Sequence, residues 1–270
     1  MVKFTIPGNH FWKNISINNN QIGYKMVYRI SGAEFVRRLL EGQRDFQEMG
    51  LLERNFDLSS HKLYAQLQES FDSTDSRYRS LCLSDAEMEG LVAKKLSVCL
   101  VANGIKLTKV DLEEATLGGS YFQNAVLKEV NFRNADLYRC RAPRANFTDS
   151  KLERANLVEA FCSEAYFQGS VLESAKCKRA VFYVAVFKET SLANADFTEA
   201  GLRGAKFPGT DVSGMKFTGA DLRQADLRGV KNLEKSSGLE DVNFSGTIVS
   251  PAEKAIIEEA LKRKVPFIVY

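Results

Sequence analysis

From Val110 to Gly229 a five-residue unit repeats for 24 consecutive copies, and this period decides what the chain can fold into. Consecutive units read VDLEE, ATLGG, SYFQN, AVLKE, VNFRN and ADLYR. The third residue is Leu or Phe in 20 of the 24, the exceptions being Ala142, Cys162, Cys177 and Val212. Two positions earlier 15 of the 24 are Ala and most of the rest are Ser, Thr or Cys, so that site is restricted by size. A helix returns to one face at three and four residues and a strand at two, so neither holds a period of five. The backbone has to bend once per unit. A short extended piece with positions one and three inward and position two outward, followed by a two-residue corner rich in Gly and Asn (Gly119, Asn124, Gly169), meets that demand. Four such sides close a coil of about 20 residues that stacks on the next at about 4.8 Å, and each coil touches only its neighbours.

The units ADLYR, ANFTD, ANLVE, ADFTE, ADLRQ and ADLRG resemble the pentapeptide-repeat family, whose unit is Ala-(Asp/Asn)-Leu-X-X. The resemblance implies an all-β solenoid, a right-handed quadrilateral parallel β-helix. It implies little chemistry: members mostly lack a catalytic site and act by offering a surface to a protein, and one branch protects or inhibits DNA gyrase by imitating duplex DNA. Such mimicry needs a strongly negative surface. Residues 105–229 carry 18 basic and 16 acidic side chains with alternating signs, which disfavours the gyrase alternative.

Along the chain, residues 1–43 mix aromatic and β-branched residues around Asn18-Asn19-Asn20, predicting two strands and then a capping helix opened by Ser31 and Glu34 and closed by Gly42. Residues 44–104 are divergent repeats or a helical interruption. As pentads they put Leu81, Leu83, Ala86, Met88, Leu91, Ala93, Leu96 and Val98 inward; as a helix capped at Ser84 they put Met88, Leu91, Val92, Leu96, Cys99 and Leu100 on one stripe. The solenoid occupies 105–249, with a frame break at the polar stretch VKNLEKSSG and three further units centred on Leu239, Phe244 and Val249. Residues 250–270 form a C-terminal cap: Ser250-Pro251-Ala252-Glu253 opens a helix whose apolar side is Ala252, Ile256, Ile257, Ala260 and Leu261. The closing stretch Pro266–Tyr270 is strand-like and could fold back or pair with a second copy as a homodimer through this end.

A net charge of +3 from 37 basic and 34 acidic residues provides no long-range field for nucleic acid or an acidic membrane. Nothing approaches the 18 apolar residues of a membrane span. Cys140, Cys162 and Cys177 fall on inward positions and predict buried thiols in a reducing compartment, the cytoplasm. His10 and His61 lie near no nucleophile at recognisable spacing, and no metal or phosphate-cradling motif is present, so neither an enzyme nor a cofactor is expected. A small enzyme domain would need residues 57–104 to fold separately around a pocket.

Residues twenty apart stack above one another, which makes the outward columns legible. One corner column alternates Arg139, Glu159, Arg179, Glu199, a solvated charge ladder. Two adjacent sides break the polar rule: Tyr121, Arg141, Phe161 and Val181 rise up one, Val126, Asn146, Tyr166 and Val186 up the next, and Tyr183 and Val184 occupy the corner between them. This band has the composition of an interface centre and predicts a rigid scaffold for a protein partner, with Tyr121, Val126, Arg141, Phe161, Tyr166, Val181, Tyr183 and Val186 as its contact residues. The competing expectation is that N-terminal residues or the 57–104 segment fold over it.

Overall fold

The computed structural model describes residues 5–6, 9–18, 21–41, 43, 45–47, 49–51, 56–71 and 80–264. The repeats close into a four-sided parallel β-helix. Positions one and three are buried along the whole run, while position two carries one β-bridge per coil to the residues twenty before and after it. Side A rises through Asp111, Asn131 and Lys151, side B through Thr116, Asp136 and Asn156, side C through Tyr121, Arg141 and Phe161, and side D through Val126, Asn146 and Tyr166.

Local chemistry explains the unit. Its fifth residue is left-handed at every corner from Lys109 to Gly229, with φ between 53° and 59° even where it is Glu, Asn, Arg or Asp. The coil thereby overrides a cost of about 1–2 kcal/mol for a non-glycine residue in that region. Asx at position two accepts the amide two residues on, as Asp136 Oδ1 does from Tyr138 N (3.0 Å) and Asn156 Oδ1 from Val158 N. The side-chain amide of Asn156 also donates to Asp136 in the coil below at 2.8 Å, so the same residue closes its own corner and ties two coils together.

Inside, the third positions of side D form a ladder of parallel rings, Phe147, Phe167, Phe187 and Phe207, with centroids 4.9, 5.1 and 5.1 Å apart. Hydroxyls at one buried corner have a separate task. Ser150 donates to Leu127 O, and Ser170 and Thr190 both donate to Phe167 O, satisfying carbonyls that water cannot reach. Cys140, Cys162 and Cys177 are fully buried, as their inward positions predict. A hydrogen bond with Cys140 and burial push the Cys162 thiol well up, and burial does the same for Cys177.

The divergent segment resolves in favour of pentads over 80–104. Leu81, Leu83, Ala86, Met88, Leu91, Ala93, Leu96 and Val98 are all buried, and the helix expected from Ser84 does not form. Asp85, Gly90 and Lys95 supply left-handed corners, which a continuous helix cannot contain. The frame slip falls between Ser97 and Val101: Ser97 bridges Thr116, nineteen residues on, whereas Val101 bridges Tyr121, twenty on. One corner is a residue short, and a short strand, Cys99–Val101, runs through it. In the first coil, bridges Asp45–Cys82 and Asp57–Val92 build sides C and A, but the chain leaves before side B to form the helix α2 (Tyr64–Phe71). Gln68 of α2 stands in for the missing strand, accepting from Ser97 N (3.2 Å) and donating to Lys95 O (2.6 Å).

At the N-terminal end β1 (Asn9–Asn18) and β2 (Gln21–Ile30) pair antiparallel, and β2 extends side D through β3 (Met49–Leu51). Gly32–Leu40 forms α1, whose Phe35, Val36 and Leu39 plug the open coil, with Phe35 edge-on to Phe46 at 4.8 Å. Only half of the expected capping box exists: Ser31 accepts from Glu34 N, while the Glu34 carboxylate turns to Arg37 and Arg38. Gly42, the expected end of α1, lies outside the described residues.

At the other end the five-residue frame breaks at VKNLEKSSG as the sequence indicates, with Lys216 bridging Ser237 twenty-one residues on and Asp221 bridging Asn243 twenty-two on, but the coil itself continues. Lys231 still bridges Asp211, Leu233 is buried, and two extra residues are absorbed by 3-10 turns at Leu233–Lys235 and Leu239–Asp241. The helix α3 (Pro251–Lys264) covers this coil with Glu253, Ile256, Ile257 and Ala260; Ala252 and Leu261, expected inward, are exposed. The reason is Glu253, which claims the inward position. Its carboxylate accepts from Ser250 N (2.8 Å), Ser250 Oγ and Gly229 N (3.2 Å), so it ties the cap to the last regular corner. Pro266–Tyr270 lies outside the described residues.

Candidate functional site

Exposed large apolar side chains are few and gathered. Among the described residues they are Tyr121, Phe161, Tyr166, Tyr183, Val184, Ile248 and Leu261, and the first five lie on sides C and D or on the corner between them. Phe161 is 41% exposed and Tyr166 is 50% exposed. Arg141 is exposed beside them, while Val126, Val181 and Val186 are half-buried in the same columns. The eight predicted contact residues therefore share one continuous face. The α2 segment, one candidate to cover that face, packs at Lys94, Lys95 and Ser97 where sides A and B meet, diagonally across the coil.

The band departs from the unit's own stabilising chemistry. Where Asx would bond a corner amide, side C has Tyr121, Arg141, Phe161 and Val181, and side D has Tyr166 and Val186. Ser163 Oγ, two residues beyond Phe161, is buried without a hydrogen-bond partner.

Two features of the face escape the contact list made from sequence. Val184 holds φ at 58° with 52% exposure. A β-branched residue in the left-handed region is a strained outlier, at a cost of about 1–3 kcal/mol. Its signal in the sequence is that no other fifth position between Glu114 and Gly229 is β-branched. Next to it the Tyr183 ring lies across Gly201: a Cβ there would stand 2.6 Å from Tyr183 Cε1, so glycine at this outward position lets the ring lie flat.

Ion pairs line the corners of the face, Arg139–Glu159 between sides B and C and Arg144–Glu164 between sides C and D, the latter within the band itself. Arg139 meets Glu159 at 2.6 Å and Arg144 meets Glu164 at 2.9 Å, each acid one coil above its arginine. Side-chain hydrogen bonds from those guanidinium groups hold both glutamates below the usual carboxylate range. The predicted ladder continues with Arg179–Glu199 at 2.8 Å. Arg141 lies over the Tyr121 ring, 5.5 Å from its centroid. Between Tyr121 and Phe161 the surface dips into a shallow depression edged by Gln123, Arg139 and Pro143.

No group of His, Cys, Asp and Glu suited to a metal occurs among the described residues, and no described helix is long and apolar enough to cross a membrane.

A model of pentapeptide repeats matches the chain in eight copies, over residues 105–141, 145–176, 165–203 and 195–231. No curated protein matches. Similar solved structures include HetL, a pentapeptide repeat protein involved in heterocyst differentiation regulation in the cyanobacterium Nostoc, at 20% identity over 81% of this chain and 92% of that one, with a TM-score of 0.36. Another is QnrB1, a plasmid-mediated fluoroquinolone resistance protein, at 17% identity over 84% and 95%, with a TM-score of 0.45. A third is Rfr23 from the cyanobacterium Cyanothece, at 21% identity over 47% and 60%, with a TM-score of 0.19. Repeat by repeat, from the buried third position to the left-handed corner, residues 105–141 and 145–231 match the pentapeptide-repeat family, and the chain folds as that family's right-handed quadrilateral β-helix.

Proposed function

We propose that this protein is a non-enzymatic scaffold whose sides C and D bind a protein partner in a regulatory role. The observation that carries the reading is the exposed cluster of Tyr121, Phe161, Tyr166 and Tyr183 at positions where the repeat elsewhere places hydrogen-bonding Asx or other polar groups. A stacked coil has little backbone or side-chain freedom left to lose, so a modest contact area yields useful affinity. Aromatic anchors within a polar rim are the usual energetic centre of such contacts. Cys82, Cys99, Cys140, Cys162 and Cys177 are all free thiols, which fits action in the reducing cytoplasm. The alternating charge of the repeats argues against a DNA mimic.

The test is an affinity capture from the native cell lysate comparing wild type with a folded Phe161→Asp, Tyr166→Asp double variant, quantified by mass spectrometry. A protein lost specifically with the variant supports the reading. Recovery of the same set by both baits refutes the site, and gyrase in that shared set would favour the mimic instead.

A further inference from the structure

A gap in the charge ladder indicates what the band accepts. Arg133, Arg139 and Arg144 each meet a glutamate twenty residues on, Glu153, Glu159 and Glu164, at 2.6, 2.6 and 2.9 Å. Arg141 lies between two of these pairs in sequence, but the residue bridged to it from the coil above is Phe161. No ion pair forms at Arg141 among the described residues; its one close aromatic contact is the face of Tyr121. The band thus holds a bare guanidinium between two exposed aromatic rings, flanked by arginines that are already neutralised.

We infer that the band binds a protein segment that sets an Asp or Glu carboxylate against Arg141, with apolar side chains on Phe161 and Tyr121. This rests on the binding surface proposed above and names its chemistry. An arginine stacked on an aromatic face keeps its N–H edge free, and that edge matches a carboxylate in a two-point hydrogen bond. Apolar rings on both sides keep water from the pair, which strengthens it relative to a surface ion pair. A nucleic acid or an anionic bilayer presents many phosphates and is held by several free cations at once. Arg139 and Arg144 beside Arg141 are each already engaged, so between Tyr121 and Phe161 the face offers one unpaired cation in an apolar frame, which is the pattern of a single acidic side chain within a hydrophobic peptide.

The experiment is a random peptide-display selection on the full-length chain, run in parallel on wild type, Arg141→Glu, Arg141→Gln, Arg154→Glu and the Phe161→Asp, Tyr166→Asp variant, each checked for an unchanged urea midpoint. Wild type and Arg154→Glu should enrich peptides with Asp or Glu beside an aromatic or Leu, and Arg141→Glu should enrich Lys or Arg in its place. A synthetic copy of the best wild-type peptide should bind Arg141→Glu at least about tenfold more weakly, with Arg141→Gln between the two. Peptides that depend on Phe161 and Tyr166 but bind all the Arg141 variants equally overturn this inference and leave the surface in place. If no enriched peptide depends on Phe161, Tyr166 or Arg141, both readings fall. An oligonucleotide that binds wild type and is released by Arg141→Glu would also overturn the inference.

Discussion

The ring ladder of side D allows stacking to be separated from burial. Phe167 and Phe207 are both fully buried third-position residues, so replacing either with Leu removes similar transfer free energy. They differ in ring contacts. Phe167 stacks on Phe147 at 4.9 Å and on Phe187 at 5.1 Å, and meets Phe182 edge-on at 5.8 Å, whereas Phe207 stacks on Phe187 at 5.1 Å. At about 0.5–1.5 kcal/mol per pair, the lost ring contacts should add about 1.5–4.5 kcal/mol to the shared burial cost for Phe167→Leu and about 0.5–1.5 kcal/mol for Phe207→Leu. Urea unfolding followed by circular dichroism and tyrosine fluorescence measures the difference. The two probes must coincide, because coils that touch only their neighbours can melt in sections. Leu157→Ala and Leu202→Ala control for position along the solenoid: both side chains are fully buried, and each should cost about 2–5 kcal/mol without a consistent difference. Equal costs for Phe167→Leu and Phe207→Leu would refute the stacking argument and leave burial as the whole explanation.

Val184→Asn should raise stability by about 0.5–1 kcal/mol, since Asn tolerates the left-handed corner and the exposed Val loses little packing. The same change should weaken partner capture, and a fall in the urea midpoint would show that the corner is not strained. Glu253 bears on pH. Burial raises its pKa, but hydrogen bonds from the Ser250 side chain and from the amides of Ser250 and Gly229 outweigh burial and leave it lowered. A carboxyl depressed in the folded state contributes fully above its unfolded value of about 4.3 and loses that contribution as pH falls through the folded value. The stability gap between wild type and Glu253→Gln should therefore be constant from neutral pH down to about pH 5 and shrink below it. A gap independent of pH would remove the carboxylate from the account.

The period of five was enough to place the core: a residue such as Phe167 or Ala165 is inward because no other winding returns it to a common face every five positions. The band on sides C and D was legible for the same reason, since Tyr121, Phe161 and Tyr166 fall on outward columns of a fixed twenty-residue coil. Where the period fails, local pattern no longer decides. Met88, Leu91 and Leu96 suit a helical stripe as well as two strand faces, and the neighbouring coil, which supplies partners such as Thr108 O for Gly90 N and Asp111 O for Ala93 N, selects the strands. Likewise, Ala252 and Leu261 look inward on a helical wheel, yet the buried Glu253, bonded to an amide twenty-four residues earlier, sets how α3 is turned. The strain at Val184, the Tyr183 ring laid over Gly201 and the missing acid above Arg141 depend on what the next coil places there. The sequence by itself determined the coil and its outward columns, because they follow from a period within one strand of chain. Only the tertiary structure decided the caps, the interruptions and the character of the exposed face, because each rests on a contact between coils or between a coil and its lid.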